Sequence, residues 1–92
     1  MLEAVKRELR ITNTAFDEEV LDLIEAAKAD LRIPPIDQEK IVDTEPLIKR
    51  AIILYAKANF GLDNKDSEKY QRAYDILSER LSLSLIYKDV RE

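Results

Sequence analysis

The chain contains no cysteine, no histidine and a single glycine among its 92 residues. Each absence removes a class of chemistry. Without cysteine there is no disulfide framework and no thiolate metal site. Without histidine the usual general base and the commonest transition-metal ligand are both missing. One glycine excludes a glycine-rich loop for phosphate. No apolar run approaches the ~18 residues that a membrane span requires, so no membrane partner is expected. The opening MLEAVKRELR lacks the apolar core of a signal peptide, and the protein is expected to stay where it is made. A formal charge of −4 argues against non-specific duplex binding, which depends on phosphate neutralisation. The carboxylates fall mainly on faces predicted to be exposed, and no serine has a histidine to activate it. No enzymatic activity, cofactor or metal is expected.

What remains is a composition that folds: 46% hydrophobic and 37% charged residues. Residues 1–92 are read as one helical domain, large enough to bury roughly 65% of the surface its unfolded chain exposes. The spacing predicts a compact antiparallel all-α bundle of about four helices with a short C-terminal tail. A short first helix runs from about Leu2 to Arg10, with Leu2, Val5 and Leu9 on one side. Thr12, Asn13 and Thr14 break it, because short polar side chains compete for backbone groups. The second starts near Thr14 or Asp17 and runs to Leu31, with Phe16, Val20, Ile24, Ala27 and Leu31 as its stripe and Leu23 widening it. Acids at its start and Lys28 and Arg32 at its end suit the helix dipole. Pro34 and Pro35 stop it. In the connection that follows, Asp37 to Ile41 can form one helical turn, and Ile41 and Val42 are expected to tuck against the core.

The third helix is the most informative segment. In TEPLIKRAIILYAKANFG, Thr44 reads as the N-cap, Pro46 falls in the first turn, and Gly61 reads as the left-handed C-terminal cap. Leu47, Ile48, Ala51, Ile52, Tyr55 and Ala58 follow core-facing spacing. Ile53 lies opposite that stripe and Leu54 at its edge. A helix apolar over most of its circumference either sits at the centre of the fold or meets another subunit with its second face. After the polar turn Asp63–Asp66, Asp66 or Ser67 caps a fourth helix with Tyr70, Ala73, Tyr74, Leu77 and Leu81 buried. Beyond it, Leu81, Leu83 and Leu85 alternate with serines, a period that suggests an extended segment.

Each candidate site has an ordinary structural explanation beside it. Asp17, Glu18, Glu19, Asp22 and Glu25 resemble a hard-cation cluster, yet acids at a helix start are explained by the dipole. Asp63 to Tyr74 opens like a calcium loop, but Glu68 and Tyr74 replace the required glycine and bidentate acid. Lys65, Lys69, Arg72 and Arg80 form a loosely basic flank, interleaved with Asp66, Glu68, Asp75 and Glu79. The first two helices lack the glycine of a helix-turn-helix, and the second opens with acids where a recognition helix meets DNA. The off-stripe Ile53 and Leu54 and the tail Leu81–Tyr87 point either to ordinary core packing or to a contact with another chain.

Taken in order, VKRELRIT, FDEEVLDLIEAAKADL, DTEPLIKRAIILYAKANFG and KYQRAYDILSERLSLS resemble the small head–tail connector proteins of tailed bacteriophages and prophages, a DNA-packaging or head-completion adaptor family. The stretches cover nearly the whole chain in the family's order and spacing. Many relatives carry aspartate where Thr12 stands, and Asn-Arg-Glu in place of Asn64, Lys65 and Asp66. The resemblance implies a non-enzymatic structural subunit that joins a homo-oligomeric ring on the portal protein after DNA packaging. It would extend the DNA channel and dock neck or tail-completion proteins. It would reside at the head–tail junction of the virion, and in the host bacterial cytoplasm as a monomer or otherwise before assembly. DNA would pass without sequence-specific binding. Under this reading Ile53, Leu54, Leu83 and Leu85 are the expected subunit or portal contacts, and Asp17, Glu18, Glu19 and Asp22 the expected channel-facing acids. Two other classes fit the same residues: a small helical regulatory or nucleic-acid-binding protein, and a generic helical interaction module.

Overall fold

A computed structural model describes residues 1–61 and 65–88. These residues form α1 (Leu2–Leu9), α2 (Asp17–Leu31), α3 (Pro46–Asn59) and α4 (Ser67–Leu83), with a 3₁₀ turn at Gln38–Lys40. Among the described residues the only extended pairing is an isolated antiparallel bridge between Ile36 and Lys88. The all-α bundle expected from the spacing is therefore the observed architecture. The expected turn at Asp63 and Asn64, with the calcium-like start it contains, lies outside the described residues.

α1 ends where the sequence places it, with Arg10 as its C-terminal cap. Arg10 adopts a left-handed conformation (φ 61°, ψ 41°). Its N–H donates to the Arg7 carbonyl at 3.1 Å and the Ile11 N–H to the Lys6 carbonyl at 2.9 Å. These two bonds satisfy carbonyls that the helix end would otherwise orphan. The chain then turns at Asn13, whose Oδ1 accepts the Ala15 N–H at 3.0 Å. α2 begins behind Phe16 and stops before the two prolines. In the connection, Asp37 Oδ1 accepts the Glu39 N–H at 3.1 Å and starts the 3₁₀ turn. Ile36 and Ile41 are buried here, whereas Val42 is 41% exposed and does not tuck in as expected.

The cap of α3 is Glu45, not Thr44. Proline at the first helical position forces the residue immediately before it out of helical space, so the boundary belongs to Glu45. At the other end Gly61 has φ +81°, the left-handed conformation expected of it, one residue beyond the capping Phe60. α3 packs against α1, α2 and α4 alike. That placement accounts for its apolar circumference: Ile53 and Leu54 are buried with Ile48, Ala51 and Ile52, while Leu47, assigned to the core stripe, is 45% exposed.

Helices consecutive in sequence run antiparallel, whereas α1 and α3 run side by side in the same direction, with Met1 near Asp43 and Glu8 near Lys57. Phe16 at the start of α2 meets Phe60 after α3, edge to face with centroids 5.6 Å apart. Tyr55 of α3 meets Tyr74 of α4 in the same manner at 5.3 Å. Lys57 lies 5.0 Å from the Tyr70 ring centroid. Such edge-to-face pairs and cation–π contacts each add of the order of 1 kcal/mol to the area they bury.

α4 continues through Leu83, so the alternating leucines do not start an extended segment at Leu81. Residues two apart on a helix project about 200° from one another. Leu81 is accordingly buried and Leu83 is 71% exposed, a pattern that a short strand would also produce. Only at Ser84 does the backbone become extended, and residues 85–87 then form a turn.

Candidate assembly surface

Three features outside the core present chemistry to a partner. The first is the end of α4. Leu83, Leu85 and Ile86 are 71%, 91% and 68% exposed, although each is a large aliphatic residue. Leu83 lies on the outer face of α4, and Leu85 and Ile86 belong to the turn from which Tyr87 points inward. Its ring is buried, its hydroxyl donates to Glu45 Oε2 at 3.1 Å, and its carbonyl accepts the Asp37 N–H at 2.7 Å. Desolvation, then the bond to Glu45, pushes the Tyr87 phenol above its ordinary range.

The second feature is a shallow groove of about 400 Å³ where the end of α2 faces α4. Asp30, Asp75 and Glu79 line it together with Ser78, Ser82 and Ile33. Tyr74 forms its floor and donates to Asp30 Oδ2 at 2.6 Å. Burial, reinforced by that bond and by the Asp30 charge, holds the Tyr74 phenol far above its usual range. Asp75 accepts from Gln71 Nε2 at 2.9 Å. Among the described residues no group of three or more acids is arranged to hold a metal ion.

The third is the outer flank of α2. Glu18, Glu19 and Asp22 are exposed, and among the described residues none has a cation within ion-pair distance. Asp17 differs from the other three expected channel acids. Its Oδ1 lies 2.8 Å from Lys6 Nζ, and Lys6 is almost fully buried between α1 and α2. That oxygen has no aligned hydrogen bond, so the contact is one of opposite charge. Glu25 lies near Lys28, which also approaches Asp43 at 3.4 Å.

The structure separates the four residues expected at a subunit or portal contact. Leu83 and Leu85 are on the surface; Ile53 and Leu54 are 7% and 5% exposed and pack inside their own chain. For those two the second apolar face of α3 is explained by its central position, which leaves them little surface to offer another subunit. The sequence reading takes in Ile86 only as part of the tail Leu81–Tyr87 and does not single out Ile33, which is 81% exposed beside the groove. Ile33 directly precedes Pro34, a position forced out of the helix, and that was the available signal. Nothing local marked Tyr87 as the inward anchor, because its partners Asp37 and Glu45 are remote in sequence.

A small helical bundle with bare aliphatic side chains at one end and, among the described residues, acids without ion-pair partners along one helix has the build of an assembly subunit. The family model described as phage connector protein matches residues 1–88, and the chain belongs to that family. This is a structural family, not an enzymatic one. No curated protein and no solved structure matches the chain. Among the described residues no helix is long and apolar enough to cross a membrane.

Proposed function

We propose that the protein is a head–tail connector subunit that assembles as a ring on the portal after DNA packaging, prolongs the DNA channel and docks neck or tail-completion proteins. The observation that carries this reading is the family match over residues 1–88, joined to bare Leu83 and Leu85 at the end of α4. Exposed aliphatic side chains in one short stretch favour burial against another chain. In this reading Leu83 and Leu85 contact a neighbouring subunit or the portal. Glu18, Glu19 and Asp22, with Asp17 beside them, face the channel, where like charge lets DNA slide without adhering. The protein is then a component of the virion at the head–tail junction, and of the bacterial cytoplasm before assembly.

Electron microscopy of an induced lysate from a host lacking this gene tests the role. DNA-filled or leaking heads beside separate, complete tails are the expected result. Normal tailed virions would rule the role out. The channel assignment has its own test: Glu18→Gln, Glu19→Gln and Asp22→Asn combined should slow or trap DNA ejection from otherwise complete particles. Unchanged ejection kinetics would remove these acids from the channel.

A further inference from the structure

In the sequence, Lys69, Arg72 and Arg80 of α4 stand among Glu68, Asp75 and Glu79, and the two signs look mixed. The helix sorts them. At 100° per residue, Lys69, Arg72, Ile76, Arg80 and Leu83 fall within about 80° of its circumference. All five are exposed, Ile76 by 51% and Leu83 by 71%. Among the described residues none of the three cations has a carboxylate within ion-pair distance. Cations interspersed with aliphatic side chains suit a protein surface that offers acids and an apolar contact; a phosphate backbone offers the aliphatic groups nothing.

The groove between the end of α2 and α4 is the complement of this face. Asp30, Asp75 and Glu79 line it, with bare Ile33 beside them. Asp30 accepts from Tyr74 and Asp75 from Gln71, yet among the described residues no cation lies within ion-pair distance of any of the three acids. On α4 the groove residues Asp75, Ser78, Glu79 and Ser82 centre about 110° from the cationic face. Both surfaces belong to one helix, so a chain cannot seat its own face in its own groove.

We propose that the cationic face of α4 docks into the α2–α4 groove of a second copy of this chain, its three cations against Asp30, Asp75 and Glu79 and Ile76 against Ile33. The groove is open and shallow, a shape that receives the side chains of one helix and does not enclose a small molecule. After docking, one copy keeps a free groove and the other a free face. The contact is therefore heterologous, the kind that builds rings. The proposal rests on the ring reading above and supplies its subunit contact. Glu18, Glu19 and Asp22 do not line the groove and stay outside that contact.

Disulfide pairing on the purified full-length chain tests it, because the chain has no cysteine of its own. One chain carries Ile76→Cys on the face, another carries Ser78→Cys in the groove, and the two are mixed under oxidising conditions. At an ionic strength of about 0.01 M, where charges act over about 30 Å, the mixed disulfide should form at least about tenfold faster than either like pair. At about 1 M salt, where they act over about 3 Å, that preference should fall several-fold. Arg72→Glu with Arg80→Glu, added to the face chain, should abolish the preference. Asp75→Lys with Glu79→Lys, added to the groove chain, should then restore it, which a misfolded chain could not do. Like and mixed disulfides forming at equal rates would overturn the contact. So would faster pairing of two Ile76→Cys chains, the mark of a symmetric dimer, or a charge reversal that fails to restore. Binding of a DNA duplex that needs Arg72 and Arg80, with no preference for the mixed disulfide, would give the face to phosphate instead. The lysate lacking the gene decides the connector role separately: filled heads beside separate tails, together with equal disulfide rates, would keep the role and remove only this contact.

Discussion

Lys6 is the only buried charged residue among the described ones, and its partner Asp17 is unequally placed. The lysine side chain is 7% exposed and the aspartate 30%. Removing the acid strands a nearly buried ammonium, whereas removing the lysine leaves a carboxylate that still reaches water and sits at a helix start. Asp17→Asn should therefore cost about 2 kcal/mol and Lys6→Met no more than about 1 kcal/mol. Urea denaturation midpoints of the two variants decide it, and equal losses would show that the asymmetry of burial does not matter. Tyr74 makes a separate prediction. Its phenol titrates higher in the fold than its ordinary value of 10.0 because burial and Asp30 both oppose a phenolate. The stability this confers is complete below pH 10 and falls above it, where the unfolded chain ionises and the folded one resists. Tyr74→Phe should lose about 1–2 kcal/mol at neutral pH through the missing hydrogen bond. It should also show a shallower loss of stability than the parent from pH 10 upward in alkaline urea melts.

At the scale of elements, two helix ends use the left-handed region with opposite suitability. Gly61 adopts it without a Cβ, and Arg10 adopts it with one. A Cβ built on Gly61 meets nothing within 4 Å, so any cost of substitution there is purely conformational. Gly61→Ala should destabilise by about 1 kcal/mol, and Arg10→Gly should stabilise by about 0.5–1 kcal/mol. For a chain this short, 1 kcal/mol moves the melting temperature by roughly 4–8 °C, so calorimetry resolves both. A lower melting temperature for Arg10→Gly would mean that the arginine side chain has a role outweighing its backbone strain. The legibility of these ends differs for a physical reason. Glycine at a helix end signals its own conformation, and the reading of Gly61 follows from that alone. Arg10 carries no such signal; its conformation is imposed by where Ile11 must pack against the core. Thr44 shows the converse error, in which a good capping side chain is overruled by the steric demand of Pro46 on Glu45.

The whole molecule extends 44 × 23 × 17 Å, with a radius of gyration of 13.2 Å against the roughly 12 Å expected of a compact chain of this length. In so slender a bundle one helix can touch all the others, and α3 does. Residues on its every side are consequently structural, and Ile52→Ala should cost about 3 kcal/mol through the cavity it leaves. Leu83→Ser with Leu85→Ser should change stability by less than about 0.5 kcal/mol, since neither side chain is packed. The same double variant should nevertheless fail to restore infectious particles to a lysate lacking the gene. Restoration at the parental level would move the assembly contact away from the end of α4, and a fall in stability matching that of Ile52→Ala would make the failure a folding defect.

Much of this protein was determined by sequence alone. Helix periodicity, the proline pair after α2 and the lone glycine after α3 are local, and local steric rules set the number, type and approximate limits of the helices. The ordered set of helical stretches likewise carried the connector resemblance, because a family pattern is itself a property of sequence. Tertiary structure decided which apolar residues are spent inside. Ile53 and Leu54 lie off the stripe of α3 and Leu83 lies off that of α4, yet the first two are covered by neighbouring helices and the third is bare. Nothing within either helix distinguishes them. Burial depends on what the remaining elements bring alongside, and the turn at Tyr87, seated against residues some forty to fifty positions earlier, exists only through that long-range packing.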